Sequence, residues 1–255
     1  KCRENARKYK KEWEDMTRRM GYWVDMEHPY VTFDNPYIES LWNIIKTVAD
    51  KKLLYLAHRV VPYCTRCGTP LSSHEVAQGY KTVTDTSVYI KFRLRPGQKI
   101  RGGKTTKDTY ILAWTTTPWT LPGNVALAIG DKITYVIFSN KQQAISDKVF
   151  YIAAKDTVEK VFGDAVVIQK EFPGVELVGL EYEPLFDVPA LKSETSYKVY
   201  PADFVTTTDG TGVVHTAVMY GEDDYNLGTA LGLPKVHTVD EAGKFFGVSE
   251  ELNGK

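Results

Sequence analysis

Apolar residues in the first quarter of the chain recur at helical spacing. Ala6, Tyr9, Trp13, Met16 and Met20 fall three and four residues apart, so the pattern predicts an amphipathic helix over 4–20, stopped by Gly21. A second helix is predicted from Asn35-Pro36, with Asn35 as cap and proline at the first helical position. Tyr37, Leu41, Ile44, Ile45 and Val48 form its stripe, and Lys51-Lys52 suit its C-terminus. From about residue 76 the period shortens. TSVYIKF (86–92), TYILAWTTT (109–117), NVALAI (124–129), TYVIFS (134–139), VFYIAA (149–154), AVVIQ (165–169), YKVYPADFV (197–205) and GTGVVHTAV (210–218) read as strands bounded by turns. Residues 222–231 read as a helix, with Glu222, Asp223 and Asp224 where the helix dipole favours acids. The expected architecture is α+β: a helical segment over 1–75, then a mostly-β domain over 76–255 with one or two helices.

Composition narrows the class. The chain has 255 residues, 43% hydrophobic and 25% charged, enough for a substantial core. Its 32 basic and 32 acidic residues cancel, which excludes a uniformly basic nucleic-acid coat. The charge is uneven: seven Lys/Arg and no acid lie in 91–107, a loop punctuated by Gly97, Gly102 and Gly103. That loop is either solvated surface or a phosphate contact. No apolar run reaches the roughly 18 residues that span a bilayer, and KCRENARKYKKEW lacks the apolar core of a signal peptide. With no starting Met, the chain reads as a piece of a longer one. Three cysteines, Cys2, Cys64 and Cys67, argue for a reducing compartment rather than a disulfide framework. A cytoplasmic, monomeric protein without a membrane partner is expected.

Three stretches can carry chemistry. In WTTTPWTLPGN, residues 114–124, alternation would send successive threonine side chains to opposite faces until Pro118 removes a ladder N–H. The run is either a packed strand end, or a set of hydroxyls lining a pocket for ribose, phosphate or water. In DGTGVVHTAVMYGEDDY, residues 209–225, a turn leads into an apolar strand bearing His215, and an acid cluster whose last member, Asp224, lies nine residues later opens a helix. His215 is either a satisfied core residue or, with a nearby carboxylate, part of a site for an ammonium group or hydrolysis. Cys64-Thr65-Arg66-Cys67-Gly68 gives either half a zinc knuckle, with His74 as a candidate third ligand, or two free thiols.

WTTTPWTLPGN, GTGVVH and GEDDY, in that order with a β-rich stretch between, resemble the editing domain of the isoleucyl-tRNA synthetases. GYWVDMEHPYVTFDNPYIES, VPYCTRCGTPLSSHEV and FPGVELVGLEYEPLF are similar to the flanks in that family, so the resemblance covers nearly the whole chain. Valyl and leucyl relatives carry a Thr-Thr-Arg-Pro type sequence and lack the histidine, so Thr117 and His215 point to the isoleucyl branch. The pattern departs at Val218, where the family usually has proline, and the second cysteine pair of its zinc site is not in this sequence.

The resemblance implies a barrel-like editing domain inserted in a Rossmann catalytic domain, with residues 1–75 as the helical junction. It implies hydrolysis of valyl-tRNA specific for isoleucine, and of valyl-adenylate less firmly, as a second sieve. One methylene in an apolar pocket is worth only about 1–3 kcal/mol, and the isoleucyl enzyme is itself the standard example of that limit. Carried over residue by residue, Asp224 would hold the substrate ammonium and His215 would wall the side-chain pocket. Thr115, Thr116 and Thr117 would bind the terminal adenosine and the attacking water. Trp119, Asn124 and Gly210 would complete the substrate-binding surface. Hydrolysis itself would need no cofactor. Zinc on Cys64 and Cys67, and ATP with magnesium at the synthetic site, belong to the whole parent enzyme. The partners implied are the 3′ end of the tRNA carrying valine, valine-containing small molecules and the rest of the synthetase. Among the five histidines there is no His-x-Gly-His element, and Lys-Met-Ser-Lys-Ser is absent, so the chain alone is expected not to charge tRNA.

Overall fold

The computed structural model describes residues 1–101, 103–142 and 149–255; Gly102 of the basic loop lies outside them. The chain forms two compact units, Lys1–His58 and Arg59–Lys255. In the first, the helix expected over 4–20 is two helices, α1 (Cys2–Arg7) and α2 (Lys10–Arg19). The break falls at Tyr9, whose φ of −105° and ψ of 15° leave the helical region. The third helix, α3 (Asn35–Asp50), has Asp34 rather than Asn35 at its N-cap. Arg7 reaches Asp34 at 2.8 Å and lies over the Phe33 ring. None of the three helices buries a residue, and Tyr9, Trp13, Met16, Leu41 and Ile44 are exposed.

The second unit opens with a hairpin, β1 (Tyr63–Cys64) and β2 (Thr69–Pro70), and a short helix α4 (Ser73–Gln78). Ser72 and Glu75 close a reciprocal capping box at its start. Then come β3 (Val88–Arg93), β4 (Lys99–Ile100), β5 (Gly103–Lys104), β6 (Thr109–Thr115), β7 (Ala126–Ile129), β8 (Thr134–Asn140) and β9 (Phe150–Ala154). α5 (Lys155–Phe162), β10 (Val166–Pro173), β11 (Lys198–Pro201), β12 (Val213–Thr216) and α6 (Glu222–Leu231) complete it. One sheet has the order β10-β8-β9-β6-β3, and another has β11-β7-β12. The α+β expectation holds, and each expected strand has its counterpart. The sheets do not close into a barrel: β10 and β3 edge one, β11 and β12 the other. Prolines stop the extension. β10 ends at Pro173, β11 at Pro201, and β6 stops short of Pro118.

Strand β7 is completely buried, as a strand paired on both sides and covered on both faces requires. It runs parallel to β11 and antiparallel to β12. Leu127, Ile129 and Val125 pack with Phe92, Ile111, Ile152, Leu177 and Tyr182 in one core. One side chain bridges the two sheets by hydrogen bonds. The Tyr135 hydroxyl, from β8, accepts from Gly130 N at 3.1 Å and donates to the Gly212 carbonyl just before β12. Burial pushes that phenol well above its usual range, so it stays a neutral donor. Beside it Gly174 must be glycine: a Cβ there would lie 2.1 Å from the Gly130 carbonyl oxygen.

Tyr135→Phe leaves the Gly130 N–H and the Gly212 carbonyl unpaired in the interior, which costs about 1–3 kcal/mol. Urea unfolding should show a lowered midpoint at unchanged slope; an unchanged midpoint would mean that this hydroxyl does not join the sheets.

Candidate functional site

The site is built where the exit of β6 meets β12. β6 stops at Thr115 because the Thr115 hydroxyl takes the Thr117 N–H at 3.1 Å, in place of a neighbouring strand's carbonyl. The Thr115 and Thr117 hydroxyls then lie 3.2 Å apart on one side, as an i, i+2 spacing requires. Thr115 is buried, and Thr116 and Thr117 are exposed. Pro118 opens a single 3₁₀ stretch, Pro118–Gly123. Within it Thr120 turns inward: its N–H and its hydroxyl both reach the Thr117 carbonyl, at 3.0 and 2.8 Å.

His215 comes to the same place by sheet register. It pairs with Leu127 of β7, and its Nε2 lies 2.8 Å from the Thr120 hydroxyl. The ring is buried, and burial pushes its pKa down to about 4, so the imidazole is neutral at physiological pH. Two residues on, the Ala217 N–H donates to Asp224 Oδ1 at 2.9 Å and fastens the first turn of α6 to the end of β12. The Asp224 carboxyl is pushed up to about 6 by burial, against the lowering effect of the Ala217 N–H and its own backbone N–H. The turn before it has no room for a side chain: a Cβ on Gly221 would meet Asp224 Oδ2 at 2.2 Å. At Val218, where the resemblance departs, the side chain packs on Gly228, whose absent Cβ would lie 2.5 Å from it.

The other expected residues are placed as follows. Trp119 is 45% exposed and meets the Tyr220 ring edge-on at 5.2 Å. Asn124 is buried: its amide donates to the Ala126 carbonyl at 2.9 Å and accepts from the Tyr182 hydroxyl at 2.7 Å. Gly210, at φ +77°, lies where a Cβ would stand 3.0 Å from the Trp114 ring. Thr120 and Tyr220 were not among the expected site residues. Thr120 was visible as the fourth threonine of its run, three residues beyond Thr117. Tyr220 had no local signal; its hydroxyl accepts from Val239 N at 3.0 Å, far along the chain.

Cys64 and Cys67 sit in the β1–β2 turn, where the Cys67 N–H points at Cys64 Sγ at 3.4 Å. That amide lowers the Cys64 thiol, while the adjacent Cys64 raises Cys67. Two thiols in this turn fit half of a tetrahedral zinc site. His74 instead meets Gln78 at 2.9 Å, and the described residues contain no cluster of three or more metal-binding side chains. In the basic loop, Arg93, Arg95 and Arg101 pair with Glu183, Glu181 and Glu176, so part of its charge is already matched. No helix among the described residues is long and apolar enough to cross a membrane.

A buried histidine and a half-buried carboxyl at the two ends of one strand-to-helix connection, beside a hydroxyl-bearing strand end, define a polar corner in an α+β domain. A family model for class I tRNA synthetases (I, L, M and V) matches residues 1–222, and the chain belongs to that family. Within the family its relatives include the isoleucine--tRNA ligase of Clostridium novyi (strain NT), 50% identical over 96% of this chain and 22% of that protein. That of Bacillus thuringiensis (strain Al Hakam) is 46% identical over 100% of this chain and 23% of that protein. The isoleucyl resemblance is thus met by these relatives. The chain spans about a fifth of the length of the curated relatives it matches. Among solved structures, the P. falciparum cytosolic leucyl-tRNA synthetase editing domain aligns with a TM-score of 0.38 and 17% identity, over 49% of this chain and 45% of that one.

The two shifted groups pull stability in opposite directions with pH. His215, lowered, contributes stability that is present above its unfolded value of 6.5 and lost as pH falls through about 4. Asp224, raised, contributes stability that is present below 3.8 and lost as pH rises through about 6. Asp224→Asn removes only the second effect. Its stability, from urea unfolding at a series of pH values, should therefore rise more steeply than wild type between pH 4 and 6; parallel curves would contradict the buried carboxylate.

Proposed function

We propose that the unit Arg59–Lys255 is the hydrolytic editing domain of an isoleucine--tRNA ligase, cleaving the ester of valyl-tRNA made in error for isoleucine. The observation that carries this reading is that His215 meets the threonine turn through Thr120 while the Ala217 N–H, two residues on, holds Asp224. The turn also carries the paired hydroxyls of Thr115 and Thr117, and His215 is held neutral by burial. Family membership and the isoleucine--tRNA ligase relatives support it.

In this reading the ionised Asp224 holds the α-ammonium of the substrate through a charge-assisted bond in a sheltered site. Thr116 and Thr117, exposed at the strand end, offer hydroxyls to the terminal ribose and to the attacking water. The water oxygen adds to the ester carbonyl carbon, the bond to the ribose oxygen breaks, and that oxygen takes up a proton. His215 walls the side-chain pocket, admitting valine and crowding isoleucine. With a pKa of about 4 it is too weak a base to deprotonate water near neutral pH, so its part is shape and hydrogen bonding. Asn124, engaged with Tyr182 and Ala126, would shape the pocket from behind, and Trp119 with Tyr220 would form its aromatic rim. No step involves a metal. In the whole enzyme Cys64 and Cys67 would supply two of four zinc ligands, and ATP with magnesium would serve the synthetic site. The proposed partners are tRNA bearing valine at its 3′ end and the remainder of the synthetase, in the cytoplasm.

Valyl-tRNA deacylation by the purified chain tests the reading. Asp224→Ala should lower kcat/KM by about ten- to a hundredfold, the cost of one charge-assisted bond of about 1.5–3 kcal/mol. Equal rates for wild type and variant at the uncatalysed level would overturn it. The pH profile gives a second check. After subtraction of spontaneous hydrolysis, wild-type kcat/KM should rise as pH passes about 6, where Asp224 ionises, and Asp224→Asn should lack that rise. His215→Ala should reduce the preference for valyl over isoleucyl ester; an unchanged preference would make His215 a core residue.

A further inference from the structure

Thr120 has no role in the reading above, yet it makes the contact on which the state of His215 depends. A threonine hydroxyl carries one proton and two lone pairs. Thr120 Oγ1 lies 2.8 Å from the Thr117 carbonyl oxygen and 2.8 Å from His215 Nε2. A carbonyl can only accept, so the hydroxyl proton goes to Thr117. The second contact must then take its proton from the imidazole, which makes His215 the Nε2–H tautomer. Its other nitrogen, Nδ1, is a bare acceptor, sealed from solvent and without a hydrogen-bond partner. The geometry of Thr120 is itself fixed, since its N–H is bound to the same Thr117 carbonyl and its side chain is buried.

We propose that Thr120 is a positioning residue: it locks His215 as the Nε2–H tautomer in one ring orientation, and so sets how the pocket separates valine from isoleucine esters. The first half of this stands on hydrogen-bond geometry alone; the second rests on the editing function proposed above. A proton added to the ring would sit on Nδ1, where no acceptor waits, in keeping with the downward push that burial gives this histidine. The ring is therefore held uncharged, with its Nε2 edge pinned to the threonine turn. A pocket wall that separates side chains differing by one methylene needs a fixed ring, because free rotation would open the space that excludes the larger one.

The test combines a spectroscopic and a kinetic reading of the 255-residue chain, with imidazole ¹⁵N resonances assigned by His215→Gln. In wild type, His215 should show protonated Nε2 and bare Nδ1 at neutral pH. Thr120→Val keeps the volume and removes the acceptor; His215 should then show a mixture of tautomers, and the ratio of valyl- to isoleucyl-tRNA cleavage should fall by about tenfold, the scale of one methylene. Thr120→Ser restores the hydroxyl and should restore both. A protonated Nδ1 in wild type, or an unchanged tautomer in Thr120→Val, overturns the proposal, as does failure of Thr120→Ser to recover the wild-type tautomer. Loss of all deacylation in wild type would instead sink the editing reading, and the tautomer readings would still decide the role of Thr120.

Discussion

The four residues of β7 are the constraint on which the second unit depends. Ala126, Leu127, Ala128 and Ile129 are fully buried and pair on one side with β11 and on the other with β12. A strand so enclosed has no freedom of register, because a slip of one residue would turn every side chain of its partner to the opposite face. The chain enters β7 directly from the 3₁₀ stretch that holds Thr120. It leaves through Gly130, whose N–H is held by the Tyr135 hydroxyl. The pairing of His215 with Leu127 therefore determines that the imidazole faces the threonine turn, and the Ala217 N–H then fixes where α6 can begin. Backbone pairing in the core, rather than any contact among the site residues, brings together groups from distant parts of the sequence.

Burial acts on the two titratable groups of this corner in opposite senses. It disfavours charge in both, which moves a base down and an acid up. His215 is left neutral across the physiological range, and Asp224 is left with its titration close to it. Groups whose pKa values are displaced by a shared environment are what a ligand-binding corner needs. One is a wall that carries no charge; the other is a carboxylate ready to gain a cationic partner. An ammonium group beside Asp224 would offset the cost of its burial, so binding and ionisation favour each other.

Much of the fold was legible because its signals are local. The three acids at 222–224 mark the start of α6, and the strand runs are bounded by turn residues as the structure has them. The misses have separate causes. β6 was expected to reach Thr117, but the Thr115 hydroxyl captures the amide that pairing would have used. α5 follows a strand directly with Ala154 at its N-cap and no side-chain cap, so no capping residue announced its start. α4 did have a signal, the Ser72 to Glu75 box, within a stretch read only for its cysteines. In the candidate site, His215 and Asp224 are marked by their motifs, whereas the Thr120–His215 bond spans 95 residues and arises through sheet register. The barrel expectation came from resemblance rather than from the strand pattern, and the two sheets keep separate edges.

In the proposed reading the threonine turn, His215 and Asp224 form one binding site for an aminoacyl adenosine. A crystal structure of the chain with a non-hydrolysable adenosine-linked valine analogue tests it most directly. The ammonium should lie against the Asp224 carboxylate, the valine side chain against the His215 ring and the ribose at the hydroxyls of Thr116 and Thr117. An analogue bound elsewhere, or one whose ammonium lies away from Asp224, would contradict it.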